Sequence, residues 1–380
     1  MAYNFDKFQD RKEFSSEKWL KFKDSDVIPM WIADMDFSSP IEILEPLKKR
    51  IEQGTFGYTL VPESLTDTLV ARIKKSGWEI EPDWITWMPG AVVGLNLACK
   101  TLLQPGDMVM TPSPIYKPFM SAPENMERGM VTTVMKDVNG RLELDFDEIK
   151  KLISGDVKMF FFCNPHNPGG TVFSKEEILK LIEVCAEYDV SICSDEIHCD
   201  LILDKKSHLH LGSVNDYAKD NSITLLGPCK TFNLAGFPIA ASIIPNPEIR
   251  EDFRRNMEGV VSHVSTMAFV AAEAAYNDAD SWHKELLDYL RINKQILLEG
   301  INSVEGLSLA GPEASFLAWI NCKQAELISP GDFMIEQARV GVHKGEWFGD
   351  KDYVRLNFGC PRSLLEESIS RLQKAFSQKN

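Results

Sequence analysis

The chain has 380 residues, a hydrophobic share of 44% and a formal net charge of −15. That length exceeds one ordinary domain and the composition is that of a chain which buries a core, so two lobes, or one large domain with a smaller satellite, are expected. The negative charge, with no cluster of lysine or arginine interleaved with aromatics to offset it, excludes nucleic acid as a ligand, and no apolar run approaches the roughly 20 residues needed to cross a bilayer.

The start, "MAYNFDKFQDRKEF", is charged where a secretory leader would be apolar, so the chain is expected to stay in the cytoplasm. Cysteines at 99, 163, 185, 193, 199, 229, 322 and 360 lie mostly in apolar stretches without the spacing of a disulfide framework, and reduced, mainly buried thiols are expected. "VIPMWIADMDF" is apolar but too short to form a domain alone.

From about residue 85 to 245, short apolar runs bounded by turn residues alternate with amphipathic stretches, which reads as α/β. "WITWMPGAVVGLNLACKTLLQPGD" gives a strand, a Pro-Gly turn at 89 and 90, and a helix from near Ala91. "VKMFFFCNPHNPGG", "SKEEILKLIEVCAEYD" and "VSICSDEIHCD" read as strand, helix and strand, the helix opening with Ser174 and Glu177 at capping-box spacing. Two strands joined by a helical crossover should be parallel. "SITLLGP" and "AASIIPN" continue the strand series on either side of "GPCKTFNLAGFP". Beyond about residue 285 longer helical patterns surround a few strands, "SFLAWINC" and "YVRLNF" among them. The expected division is a large domain at 46–284 and a smaller one made of 1–45 with 285–380.

In open parallel sheets ligands sit outside the carboxyl ends of the strands. The reactive residues at those places are Asn164, His166 and Asn167, then Asp195 and His198, then Lys230. A lysine held among Pro228, Cys229, Phe232 and Leu234 is desolvated, which lowers its pKa and makes it an amine nucleophile that forms Schiff bases with carbonyl groups. Asp195 beside it could hold a protonated ring nitrogen, the arrangement that lets pyridoxal phosphate act as an electron sink. Taken singly, Lys230 could be a surface lysine and Asp195 a turn residue; the convergence of three strand ends argues otherwise. The turn before Ala91 offers a helix N-terminus for a phosphate. Tyr116 follows the next strand-like run, where its ring could stack on a planar cofactor, and spacing alone does not separate this from a core or surface tyrosine. Cys193, His198 and Cys199 match no zinc spacing, so no metal is expected; His208 and His210 of "HLHLG" read as turn residues.

"NPHNPGG", "SDEIHCD" and "KTFNLAG", with "WIADMDF" and "FGYT" upstream and "VRLNFGCPR" near the end, resemble the pyridoxal-phosphate enzymes of aminotransferase fold type I, specifically the cystathionine β-lyase-like carbon-sulfur lyases. The resemblance runs from about residue 28 to 370 in the family's order and spacing. It implies a large domain built on a mostly parallel seven-stranded sheet plus a smaller α/β C-terminal domain. It implies that Lys230 carries the cofactor as a Schiff base, that Asp195 pairs with the pyridine nitrogen, and that Asn167 hydrogen-bonds the ring's phenolic oxygen, with His198 nearby. Gly90, Ala91 and Val92 would hold the phosphate through their backbone, and Tyr116 would lie over the ring. Tyr58 would reach the phosphate of a neighbouring subunit, which implies a homodimer. Arg355 would clamp the substrate carboxylate, and Ala33 lies in a loop that touches substrate. The implied reaction is β-elimination from cystathionine, cysteine or related S-substituted cysteines, with Lys230 as general base and Tyr116 assisting. Transamination shares every step up to the carbanion, and a cofactor-binding regulatory protein is a further alternative. Cys229 stands where the family usually has serine or threonine, and Pro238 where a polar or basic residue is common, so weaker phosphate holding is expected, the helix terminus and Tyr58 carrying it.

Overall fold

The computed structural model describes residues 3–379. A sheet of seven strands forms its centre: β1 (Ile85–Met88), β2 (Met108–Ser113), β3 (Gly129–Val134), β4 (Val157–Cys163), β5 (Ser191–Asp195), β6 (Ser222–Leu226) and β7 (Ala240–Ile243), in the spatial order β1-β7-β6-β5-β4-β2-β3. The pairs β2·β3, β2·β4, β4·β5 and β5·β6 are parallel. Only β7 runs against its neighbours β1 and β6. The fold is thus α/β on a mixed, mostly parallel sheet, as the sequence implied.

β4 reads VKMFFFC because both faces of a central parallel strand are covered, and all its residues except Lys158 are buried. The crossover from β4 to β5 is α2 (Lys175–Glu187). At its start the Ser174 hydroxyl accepts from the Glu177 N–H while the Glu177 carboxylate accepts from the Ser174 N–H at 2.7 Å. Ile178, Leu181, Ile182 and Cys185, at helical spacing, form its buried face. α1 (Ala91–Leu102) lies so close to β6 that a Cβ on Gly94 would stand 2.7 Å from a methyl of Leu225. This contact fixes where the α1 N-terminus points.

β8 (Leu317–Asn321), β9 (His343–Lys344) and β10 (Tyr353–Asn357) form an antiparallel sheet in the order β8-β10-β9. The N-terminal segment joins this part of the chain, because Ile28–Pro29 pairs in parallel with Val340–Gly341. All eight cysteines are unpaired, six of them buried. No helix among the described residues is long and apolar enough to cross a membrane.

The α2 cap is a local interaction with a local cost. Ser174→Ala should lower stability by about 1 kcal/mol, read as a shifted urea midpoint at unchanged slope.

Candidate active site

Asp195 is the last residue of β5, Asn167 follows β4, and Lys230 follows β6, so three adjacent strands deliver them to one edge of the sheet. They meet in a cavity of about 560 Å³ whose wall also includes Ala33, Tyr116, His198 and Arg355. Seven of the residues expected from sequence are therefore brought together. Gly90, Ala91, Val92 and Tyr58 do not line this cavity. Gly90 caps α1 at φ 102°, a conformation open to glycine but rarely to other residues, with the first turn's N–H groups beyond it. Tyr58 is fully exposed, at 102% of its reference area.

The Lys230 ammonium donates to the Ala33 carbonyl at 2.8 Å. Burial, reinforced by the positive Arg355, pulls its pKa below the usual lysine value. Burial pushes Asp195 the other way, to about 7, against the opposing pull of the Ile197 N–H and of Lys230. Its carboxylate accepts from Ile197 N at 3.1 Å.

Arg355 is 1% exposed and has no carboxylate partner among the described residues. Its Nη1 donates to Asn167 Oδ1 at 2.9 Å, and its Nη2 donates to the Trp31 carbonyl at 3.0 Å and to His343 Nδ1 at 3.2 Å. A guanidinium only donates, so His343 Nδ1 must accept. Burial followed by the charge of Arg355 holds that imidazole neutral, with a pKa near about 3. Arg355 Nε finds no partner among the described residues, and burial lowers even this group to about 9. His198 is similar: its Nδ1 meets Ser315 Oγ at 3.1 Å, its Nε2 has no partner among the described residues, and burial drives its pKa to about 3.

The loop carrying Trp31, Ala33 and Asp34 is held from three sides. Asn357 donates to the carbonyls of Ile32 and Asp34 at 2.6 and 2.7 Å. Asn233 stands at φ 55°, a left-handed turn that asparagine tolerates, and its amide bonds the backbone of Met35 and Phe37. Below, the buried Asp36 carboxylate accepts from Lys18 at 2.5 Å, Trp19 at 2.9 Å and Arg11 at 3.1 Å. Sequence reasoning missed these positioning residues and His343. Asn233 and Asn357 lie inside the motifs "KTFNLAG" and "VRLNFGCPR", which was the available signal. Nothing in the local sequence marks His343.

The residues fit a phosphorylated pyridine aldehyde: a desolvated amine, a buried carboxylate in need of a cationic partner, and an orphaned imidazole nitrogen face one cavity, with a glycine-capped helix start nearby. The two departures are also visible. Cys229 directs its thiol to the carbonyls of Phe237 and Ile239 at 3.5 and 3.3 Å, and the Pro238 ring lies about 4.0 Å from where a Gly90 Cβ would stand.

The aminotransferase class I and II family model matches residues 25–372, and the chain belongs to this family. Cystathionine beta-lyase PatB of Bacillus subtilis is 35% identical, over 98% of this chain and 100% of that protein. The crystal structure of OvoB superposes with a TM-score of 0.97 at 39% identity, covering 100% of both chains. That of cystalysin from Treponema denticola, which contains pyridoxal 5′-phosphate, gives 0.95 at 31% identity over 99% of each.

The burial of Asp195 has a measurable sign. Its folded pKa lies above the unfolded value of about 4, so the contribution of Asp195 to the stability of the cofactor-free protein falls as pH rises from about 4 to about 7 and changes no further above that. In urea unfolding of the cofactor-free protein, Asp195→Asn should remove up to about 4 kcal/mol of this loss across that window. Parallel stability-pH curves for the two proteins would contradict it.

Proposed function

We propose that the chain is a carbon-sulfur β-lyase that cleaves cystathionine, cysteine or related S-substituted cysteines to a thiol, pyruvate and ammonia. The carrying observation is the triple convergence in one cavity of a desolvated lysine, a buried aspartate and an arginine without a carboxylate partner. The protein is an enzyme and its cofactor is pyridoxal 5′-phosphate. When bound, that group supplies an electron sink which makes the substrate's Cα–H acidic.

The roles of the chain's own residues follow from their surroundings. Arg355 binds the substrate's α-carboxylate: its fork is held open by three neutral acceptors, so an entering anion meets an unneutralised charge. Lys230 removes the Cα proton. Its lowered pKa raises the fraction of free amine near neutrality, and the Ala33 carbonyl fixes where that amine sits. Asp195 would hold the ring nitrogen's proton, and Asn167, already tied to Arg355, would link the cofactor side of the site to the carboxylate side. Tyr116, on the wall of the same cavity, would lie over the ring and assist departure of the leaving group. The sulfur leaves with the C–S electron pair, takes up a proton, and one water enters as pyruvate and ammonium are formed. The names of the relatives, cystathionine beta-lyase above all, favour elimination over transamination.

The test is a panel of S-substituted cysteines followed for pyruvate. Pyruvate release without an added 2-oxo acid is expected, and Lys230→Ala should lower turnover by at least about 10³-fold, as loss of a base and covalent anchor does. Product formation only with an added 2-oxo acid would make the enzyme an aminotransferase. A bound chromophore without turnover would leave a regulatory role.

Homodimerisation is part of the same proposal. The extended stretch after Gly54 exposes Phe56, Tyr58 and Leu60 at 59, 102 and 90%, an arrangement suited to a second copy of the chain. With Cys229 and Pro238 contributing no strong donor, Tyr58 of that copy and the α1 N-terminus would hold the phosphate. Tyr58→Ala should raise the cofactor's dissociation constant about tenfold or more, the worth of one hydrogen bond to a charged group. Mixing it with Lys230→Ala should recover activity that neither variant has alone at limiting cofactor. A monomer in sedimentation, or no recovery on mixing, would refute the shared site.

A further inference from the structure

Asp195 lines the active cavity, whereas the next residue, Glu196, turns away from it into a cluster with His208 and His210. The Glu196 carboxylate is fully buried. Its Oε1 accepts from Ser194 Oγ at 2.8 Å and Leu211 N at 3.0 Å. Its Oε2 meets His208 Nε2 at 2.8 Å and His210 Nδ1 at 2.6 Å. Two imidazole nitrogens and one carboxylate oxygen thus converge on a point beside a second cavity, of about 360 Å³, that His208 and His210 help to line.

The protonation of this cluster is constrained. Ser76 gives its one hydroxyl proton to the Ile73 carbonyl at 2.7 Å, so at 2.8 Å from His210 it accepts, and His210 Nε2 carries a hydrogen. Its Nδ1 then faces a carboxylate oxygen at 2.6 Å, a contact that needs a proton or a metal ion between the two atoms. Three features match the metal. The outer N–H of His210 is anchored on an oxygen, as in metal-ligating histidines. Glu196 Oε1 is fixed by two donors, which leaves Oε2 to coordinate. The cavity alongside has room for a water as fourth ligand, whereas His208 Nδ1 is buried and has no such anchor among the described residues. A tetrahedral ion with bonds of about 2.0–2.2 Å sets its ligands roughly 3.3 Å apart, so binding requires both rings to draw back from Oε2 by about 0.5–0.7 Å.

We propose that Glu196, His208 and His210 bind a divalent transition-metal ion of the zinc class, with the fourth position open to the adjacent cavity. The all-nitrogen-and-oxygen ligand set suits zinc and its neighbours cobalt and nickel. The ion clips the strand end that carries Asp195 to the 207–211 segment and, through Ser76, to the end of the helix Glu63–Lys75.

The test uses chelator-stripped holoenzyme titrated with Co²⁺ alone and then with Zn²⁺ as competitor. About one equivalent of cobalt should bind, with visible d–d bands of a four-coordinate site that zinc abolishes. His210→Gln should weaken cobalt binding tenfold or more. Ser76→Ala, which keeps all three ligands and removes only the anchor of His210, should weaken it about tenfold, and it serves where the histidine variant fails to fold. Wild-type protein that binds no stoichiometric cobalt, or binding with unchanged affinity in the variants, overturns the assignment and leaves a hydrogen-bonded glutamate-histidine hub. The readout is metal binding, so it stands or falls independently of which substrate the active site cleaves.

Discussion

The organising constraint of this molecule is a charge imbalance in a buried place. Lys230 and Arg355 bring two buried cationic groups into a cavity whose wall also carries Arg11, Lys18, Glu17 and Asp34, and the carboxylate at the strand end, Asp195, is itself reluctant to ionise. Arg355 is surrounded by a side-chain amide, a backbone carbonyl and a neutral imidazole, none of which carries negative charge. A low-dielectric site of this kind favours anionic ligands and a protonated ring opposite Asp195, and it penalises each of its own charged groups until those arrive.

The rest of the fold can be understood as what holds that arrangement together. A parallel sheet is needed to point three strand ends the same way, and its helical crossovers cover both faces so that the ends alone remain open. β7 reverses direction because the chain turns back at Asn233 and Pro238, immediately after Lys230 has been delivered. The same Asn233 ties the loop that contains Ala33, whose carbonyl accepts a hydrogen bond from the lysine. From the antiparallel sheet, β10 carries Arg355 and, two residues on and therefore on the same face, Asn357, which grips the same loop.

Much of this was legible in the chain. The alternation of apolar runs and amphipathic stretches gave the α/β class, the capping box at Ser174 is a local signature that forms as written, and of the chemistry-bearing residues after strands Asn167, Asp195, His198 and Lys230 line the cavity while Asn164 and His166 do not. These signals survive because each depends on spacing within a single element. The buried ion network at Asp36 joins Lys18 and Trp19 from a short helix to a loop some 18 residues on. His343 gains its place only by lying next to Arg355 across an antiparallel pair. Glu196 meets its two histidines across 12 and 14 residues of irregular chain, so "HLHLG" looked like a turn and nothing in its spacing suggested a shared carboxylate.

The sequence by itself determined the kind of fold, the strand ends and the residue types placed on them, because periodicity and turn chemistry act over a few residues. Only the tertiary structure decided which charges share one cavity, which imidazoles are forced neutral, and that Arg355 is left without a counterion. Those properties depend on burial and on partners distant in the chain, and desolvation is a property of the packed molecule that no short stretch of residues possesses.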